Sequence, residues 1–351
     1  MQTRRVTIKD IAEAVGVSTS LVSFVMNNKG KRYRVSEEMT RRIQEAAREL
    51  NYQPNSAARS LRSGRSRTIG VIVSDISNPF FADIARRIED NAYKYNYTVI
   101  FGSSDENAAK LENLIDVLVN KGVDGLIIVP CHGSEEVVRR VAGTSLPVVL
   151  LDRYIPDSDI SHVVLNNRKA TSLAVEHLIG QGYRRIEMVS YDMRLSNTRE
   201  REEGYVSTME RHGLGEFVRT HRVKFQRIPE QIREVIREMT LHEPAAEAVI
   251  FATNTLAVEG LKALAGFGTV VPRDIAVVGF DGSEAFELYY TTLTYIKQPI
   301  DQFGHEAVEL LIRSIEERDR SRVAAVTLNP ELVEGDSSRR RQSAAETAGV
   351  L

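Results

Sequence analysis

The chain has 351 residues, of which 42% are hydrophobic and 27% charged, with a formal charge of −2. At roughly 100–200 residues per domain this allows about two or three domains and a sizeable core. The sequence has no apolar run long enough for a membrane-spanning helix, and the charged N-terminus is not followed by the apolar stretch of a secretory signal. The single cysteine, Cys131, excludes an internal disulfide and a cysteine-based metal cluster, and it fits a reducing cytoplasm.

The near-zero charge hides an asymmetry. Residues 1–67 carry 14 Lys and Arg against 6 Asp and Glu, whereas the remainder carries 32 against 42. A basic head on an acidic body suggests that the head meets a polyanion. Thr7 with Asp10 three residues on is a capping-box variant. Ile8, Ile11, Ala12 and Val15 then recur at helical spacing until Gly16 stops the helix. Ser18 caps a second helix, expected over Thr19–Asn27, and Ser36 precedes a third whose stripe is Met39, Ile43, Ala46, Ala47 and Leu50.

Two helices joined by a short glycine turn make a helix-turn-helix, whose second helix offers its first residues to base edges in the major groove. Those residues are Thr19, Ser20 and, one turn on, Phe24. Thr and Ser exchange hydrogen bonds with several bases. Phe24 either presses on a thymine methyl or packs inside the small domain. Lys29, Lys31, Arg32 and Arg34 read as a phosphate clamp, which supplies affinity and register but no sequence information. Pro54 breaks the third helix, Asn55 can cap a short helix through Leu61 or Arg62, and Gly64 to Arg67 read as a linker.

The stretches VTIKDIAEAVGVSTSLVSFVMN and LNYQPNSAARSLRSGRSRTIGVIVSDISNPFFADI resemble the LacI/GalR family of bacterial transcription regulators, over about Val6 to Val333. The resemblance implies a hinge helix that forms on operator DNA, with Leu61 as an apolar wedge in the minor groove beside Ala58. It adds Thr7, Asn51 and Arg59 as phosphate contacts. Phe24 stands where several relatives carry a hydrogen-bonding side chain, and the loop before Val35 is longer than in the lactose-type members.

From Thr68 onward, short β-branched runs alternate with helical stretches, the signature of parallel sheets with helices on both faces. The expected fold is an N-terminal all-α helix-turn-helix domain (1–54) and a hinge helix with linker (55–67). An α/β body of two doubly wound subdomains (68–333) follows. The resemblance implies a periplasmic-binding-protein-like body in which the chain crosses between halves near Leu165, Lys297 and Pro330. The N-subdomain is then 68–165 with 298–330, and the C-subdomain 166–297. Residues 334–351 are polar and small, without leucine heptads, and are expected to lack fixed structure.

Ligands in such sheets sit beyond the carboxyl ends of the strands. That rule selects Asp75 and the Ser77–Phe81 stretch with Phe80 and Phe81, then Asp105, Asp152 with Arg153, Asn254 and Asp281; Arg201 lies at a helix start. Carboxylates, amides and a guanidinium beside aromatic planes suit a polyol, and two arginines suit an anionic group such as a sugar phosphate. The resemblance raises Arg201 and Asp281 as effector contacts. No dinucleotide fingerprint, Walker loop or nucleophile elbow occurs, and the seven histidines lack ligand spacing. The reading is therefore a regulator and not an enzyme, with no cofactor and no metal. The expected partners are palindromic double-stranded operator DNA, a sugar-type effector and a second copy in a homodimer, with no membrane. The alternative is a sugar sensor acting through a protein partner.

Overall fold

The structure, a computed structural model, describes residues 6–53, 64–241, 243–317 and 323–340, in two units that meet between Ser66 and Arg67. In the first unit three helices, α1 (Ile8–Val15), α2 (Thr19–Met26) and α3 (Glu37–Glu49), enclose Ile11, Ala12, Val22, Val25, Ile43 and Ala47. Each terminus has a local cause. The Thr7 amide donates to Asp10 Oδ2 at 2.7 Å. Gly16 takes φ +74° and donates to the Ala12 carbonyl, which no β-carbon-bearing residue does as cheaply. Ser18 and Ser36 accept from Leu21 and Met39, both at 3.2 Å. Helix α2 ends at Met26 rather than Asn27 because Asn28 turns left-handed, φ +56°. The expected hinge helix, with Ala58, Arg59 and Leu61, lies outside the described residues.

The second unit holds two six-stranded sheets. The first is built from β1 (Thr68–Val73), β2 (Thr98–Ser103), β3 (Gly125–Ile128), β4 (Val148–Leu151), β5 (His162–Leu165) and β11 (Ala325–Leu328), in the order β11-β5-β4-β3-β1-β2. The second contains β6 (Ile186–Tyr191), β7 (Arg219–Val223), β8 (Ala248–Phe251), β9 (Ala276–Phe280), β10 (Thr294–Lys297) and β12 (Glu331–Val333), in the order β12-β10-β9-β8-β6-β7. Every pairing is parallel except β10 with β12.

The covering helices are α4 (Pro79–Lys94), α5 (Ala108–Asn120), α6 (Glu135–Ala142), α7 (Asn167–Gly180), α8 (Ser196–Arg211), α9 (Ile228–Leu241), α10 (Asn254–Gly266), the short α11 (Glu284–Glu287) and α12 (Ile300–Glu317). Central strands such as β3 and β8 are buried throughout, as strands covered on both faces must be. The chain passes between sheets after β5, after β10 and after β11. Strand order reverses at β1/β3 and at β6/β8, so each sheet has a switch point where the outgoing loops splay apart.

Three departures from the sequence reading have identifiable causes. Strand β7 carries Arg219, His221 and Arg222, polar residues that an edge strand tolerates and that hide it from hydropathy. Helix α8 begins at Ser196, three residues earlier than its charged run suggests, with Ser196, Asn197 and Thr198 buried. The expectation that everything after Val333 lacks structure is corrected for residues 334–340. Ser337 Oγ donates to the Val277 carbonyl at 2.7 Å and accepts from the Thr294 amide at 2.8 Å. Ser338 Oγ meets Thr294 Oγ1 at 2.6 Å and His177 Nε2 at 2.7 Å. Small hydroxyls that look like linker composition are fully buried here, Ser337 pairing backbone groups of the second sheet and Ser338 pairing side chains. Residues 341–351 lie outside the described residues. Among the described residues, no helix is long and apolar enough to cross a membrane.

Candidate functional site

In the head, Thr19 and Ser20 are exposed at the start of α2, where a helix-turn-helix presents base-reading groups. Lys29, Lys31, Arg32 and Arg34 are all exposed. Asn51 follows the end of α3 with φ +50°, and Thr7 caps α1, so both place polar groups near helix ends. Phe24 is half-buried. Its ring lies outside the core cluster and flat against Tyr33, centroids 3.7 Å apart.

In the body, the loops leaving β1, β4, β6, β8 and β9 converge on one narrow cleft between the two sheets. Its walls include Ser74, Asp75, Phe80, Phe81, Glu106, Asp152, Arg153, Tyr191, Asn197, Arg201, Phe225, Thr253, Asp281 and Gln298. The free space within it is about 40 Å3. The structure thus gathers Phe80, Phe81, Asp152, Arg153, Arg201 and Asp281 into one place. Asn254 stands just behind, its Nδ2 donating to the Asp281 carbonyl at 3.3 Å.

From the first half, Asn78 caps α4 and turns Phe80 and Phe81 inward, edge to face at 5.0 Å. Asp152 adopts φ +64° at the end of β4, which aims its carboxylate across the cleft to Asn197 Nδ2 at 2.9 Å. Arg153 forks onto Glu106, Nη2 to Oε1 at 2.6 Å and Nη1 to Oε2 at 3.0 Å, and also donates to the Pro130 carbonyl. Burial opposes the Arg153 charge, but the neighbouring Glu106 and Asp152 carboxylates together more than offset it and the pKa rises.

From the second half, Arg201 donates from Nε to Asn167 Oδ1 at 2.8 Å and from Nη1 to the Ala252 carbonyl at 2.6 Å, with its plane 3.9 Å from the Phe280 ring centre. Burial pulls its pKa down against Asp281 and Asp152. Asp281, φ +62° after β9, accepts from Gln298 Nε2 at 2.6 Å, and burial pushes its pKa up to about 6. Burial likewise raises Asp152.

Three enclosed polar atoms on this wall have no hydrogen-bond partner: Ser74 Oγ, Arg153 Nε and Gln298 Oε1. Arg153 Nε stands 3.3 Å from Asp152 Oδ2 but off-line for a bond. Unpaired buried polar atoms are costly, and a polar ligand would satisfy them.

Sequence reasoning missed Glu106, Asn167, Asn197, Gln298, Tyr191 and Phe225. It took Asp105 in place of Glu106, whereas Asp105 faces out onto Lys110 and Ser103. Gln298 was findable, since it directly follows a strand and precedes Pro299.

One chain that holds a helix-turn-helix and a two-lobed ligand cleft is a ligand-responsive DNA-binding regulator. Residues 7–55 match the family model for bacterial regulatory proteins of the lacI family, and residues 66–333 match that for periplasmic binding proteins and the sugar binding domain of the LacI family. The chain belongs to the LacI family. It is 33% identical over 312 residues to the ribose operon repressor of Halalkalibacterium halodurans, covering 89% of this chain and 91% of that one. Identity to the HTH-type transcriptional repressor PurR of Pasteurella multocida is 30% over 332 residues, 93% of this chain and 97% of that one. The lac repressor dimer bound to operator and an anti-inducer superposes with a TM-score of 0.84 at 24% identity, over 96% of this chain and all of that one, which shows the shared fold. These relatives are transcriptional repressors, and the chain is a regulator of transcription rather than an enzyme.

Proposed function

We propose that the body's cleft takes a small, neutral, polyhydroxylated effector, a free sugar rather than a sugar phosphate, and that its occupation sets the affinity of the head for operator DNA. The observation that carries this is the charge of the cleft. Asp75, Glu106, Asp152 and Asp281 face only two guanidinium groups, Arg153 and Arg201. Arg153, one of the two cations that suggested a phosphate, is neutralised by Glu106 through both of its terminal nitrogens. A phosphate dianion would meet net negative charge in a buried setting, whereas hydroxyls find acceptors in the carboxylates and donors in the amides and Arg201. Phe80, Phe81 and Phe225 offer flat apolar faces to a sugar ring. The ribose operon repressor named above makes pentoses the first ligands to try.

In this reading Thr19 and Ser20 contact bases, and Thr7, Lys29, Lys31, Arg32, Arg34 and Asn51 contact phosphates. By the family resemblance, Arg59 joins them, and Ala58 and Leu61 enter the minor groove. A homodimer in the cytoplasm presents two heads to a palindromic site. Effector works only through unequal affinity for two arrangements of the body. The test is calorimetric titration of the full chain with D-ribose, other neutral pentoses and hexoses, and their phosphate esters. Binding of a neutral sugar at least tenfold tighter than its phosphate ester supports the proposal. Preference for the ester refutes it.

A further inference from the structure

The second helix of the head carries an aromatic ring that has no place in the head's core. Neither Phe24 nor Tyr33 belongs to the apolar cluster around Ile11, Val22, Val25 and Ile43. Instead the two rings lie 7° from parallel. Aromatic pairs left to themselves favour offset or edge-on arrangements, so the overlap is set by the backbone that brings them together. That backbone is well fastened. The Lys29 amide donates to the Phe24 carbonyl at 2.8 Å, Tyr33 donates to the Lys29 and Gly30 carbonyls, and Val35 closes the loop onto Gly30 at 2.9 Å. Asn28 and Arg34, at φ +56° and +55°, make the turns at either end.

Phe24 lies one turn beyond Ser20 and shares its face of α2. With one face of Phe24 covered, the outward aromatic surface on that side is Tyr33, 48% exposed. Tyr33 also carries what Phe24 lacks, a hydroxyl that both donates and accepts. Its loop neighbours Lys31, Arg32 and Arg34 are exposed cations suited to the backbone on either side of a groove. We propose that Tyr33 is a sequence-reading residue of the DNA-binding head. Phe24 acts through it, as the platform that fixes the ring and its basic loop against α2, rather than on a base of its own.

The experiment selects binding sites from a random duplex pool with the full chain, comparing wild type, Tyr33→Ala and Phe24→Leu. Tyr33→Ala should lose about tenfold or more of the base preference at one or two positions of each half-site and keep the rest of the motif. Phe24→Leu, which stays apolar but cannot stack, should blur those same positions. The salt dependence of binding to nonspecific duplex should be the same in all three, because every cation remains. A purely structural role for the stack would weaken binding to all sequences alike and leave the motif intact. The proposal is overturned if Tyr33→Ala returns the wild-type motif, or if Phe24→Leu alters positions that Tyr33→Ala leaves alone. Neither residue lies in the core, so unchanged melting curves confirm that both variants fold.

Discussion

Replacing Asp281 by Asn is expected to make the body more stable while removing its response to effector. Asp281 sits at φ +62°, a conformation that Asn accepts as readily as Asp, so the backbone tolerates the change. Burial is the main reason its pKa stands at about 6 instead of 3.8, and it prevails over the attraction of Arg201 and the bond from Gln298. The folded state therefore holds this proton more tightly than the unfolded chain does. From this group alone, stability is fully present below the unfolded pKa and is lost as the pH rises through about 6. A shift of about two pKa units corresponds to about 3 kcal/mol near neutral pH, which bounds the gain on substitution. Part of it is returned, because Arg201 loses one of its two nearby carboxylates. It keeps Asn167, the Ala252 carbonyl and the Phe280 face, so a net gain of roughly 1–2 kcal/mol, or about 2–8 °C in Tm, is expected. Thermal melts of wild type and variant over about pH 4.5 to about pH 8 check it, since the variant's advantage should open as Asp281 ionises in the wild type. A variant that melts lower than wild type at neutral pH, or a difference that does not change with pH, refutes the reasoning.

Glu106→Gln removes the carboxylate that occupies Arg153, so calorimetry should show the ratio of sugar-phosphate to neutral-sugar affinity rise by about tenfold or more. An unchanged ratio would mean that Glu106 does not set the charge preference. Ser337→Ala strips the buried Thr294 amide and Val277 carbonyl of their shared partner. Urea denaturation should register a loss of about 1–3 kcal/mol. A truly unstructured C-terminal segment would show none.

The sequence makes the framework legible where burial leaves a strong pattern. Strands β1, β3 and β8 are apolar on both faces and stand out as continuous runs. Helix α1 announces both ends through Thr7 and Gly16. What stays hidden is structure whose stability comes from partners far along the chain. Strand β7 is a strand because Arg219 to Val223 pair with β6, and its own composition says little. The turn at Asp336–Ser338 is ordered because β9, β10 and α7 supply Val277, Thr294 and His177 to its hydroxyls. No local propensity encodes those bonds.

The cleft shows the same division at the scale of single residues. The rule that ligands meet the carboxyl ends of strands selects Asp152, Arg153 and Asp281, which line the cleft, because a strand end fixes position to within a residue or two. It does not fix direction. After β2 the chain takes two consecutive left-handed residues, Asp105 at φ +52° and Glu106 at φ +53°. That pair of turns sends the first carboxylate out to Lys110 and the second in to Arg153. Two adjacent acids are indistinguishable to a rule based on position, yet which of them turns inward decides whether Arg153 is free to hold a phosphate. On the proposed reading, the charge preference of this cleft follows from backbone handedness at one loop. Asp105→Asn should leave ligand preference unchanged in the same titration that Glu106→Gln shifts, and a shift with Asp105→Asn would show that the two carboxylates trade places when ligand enters.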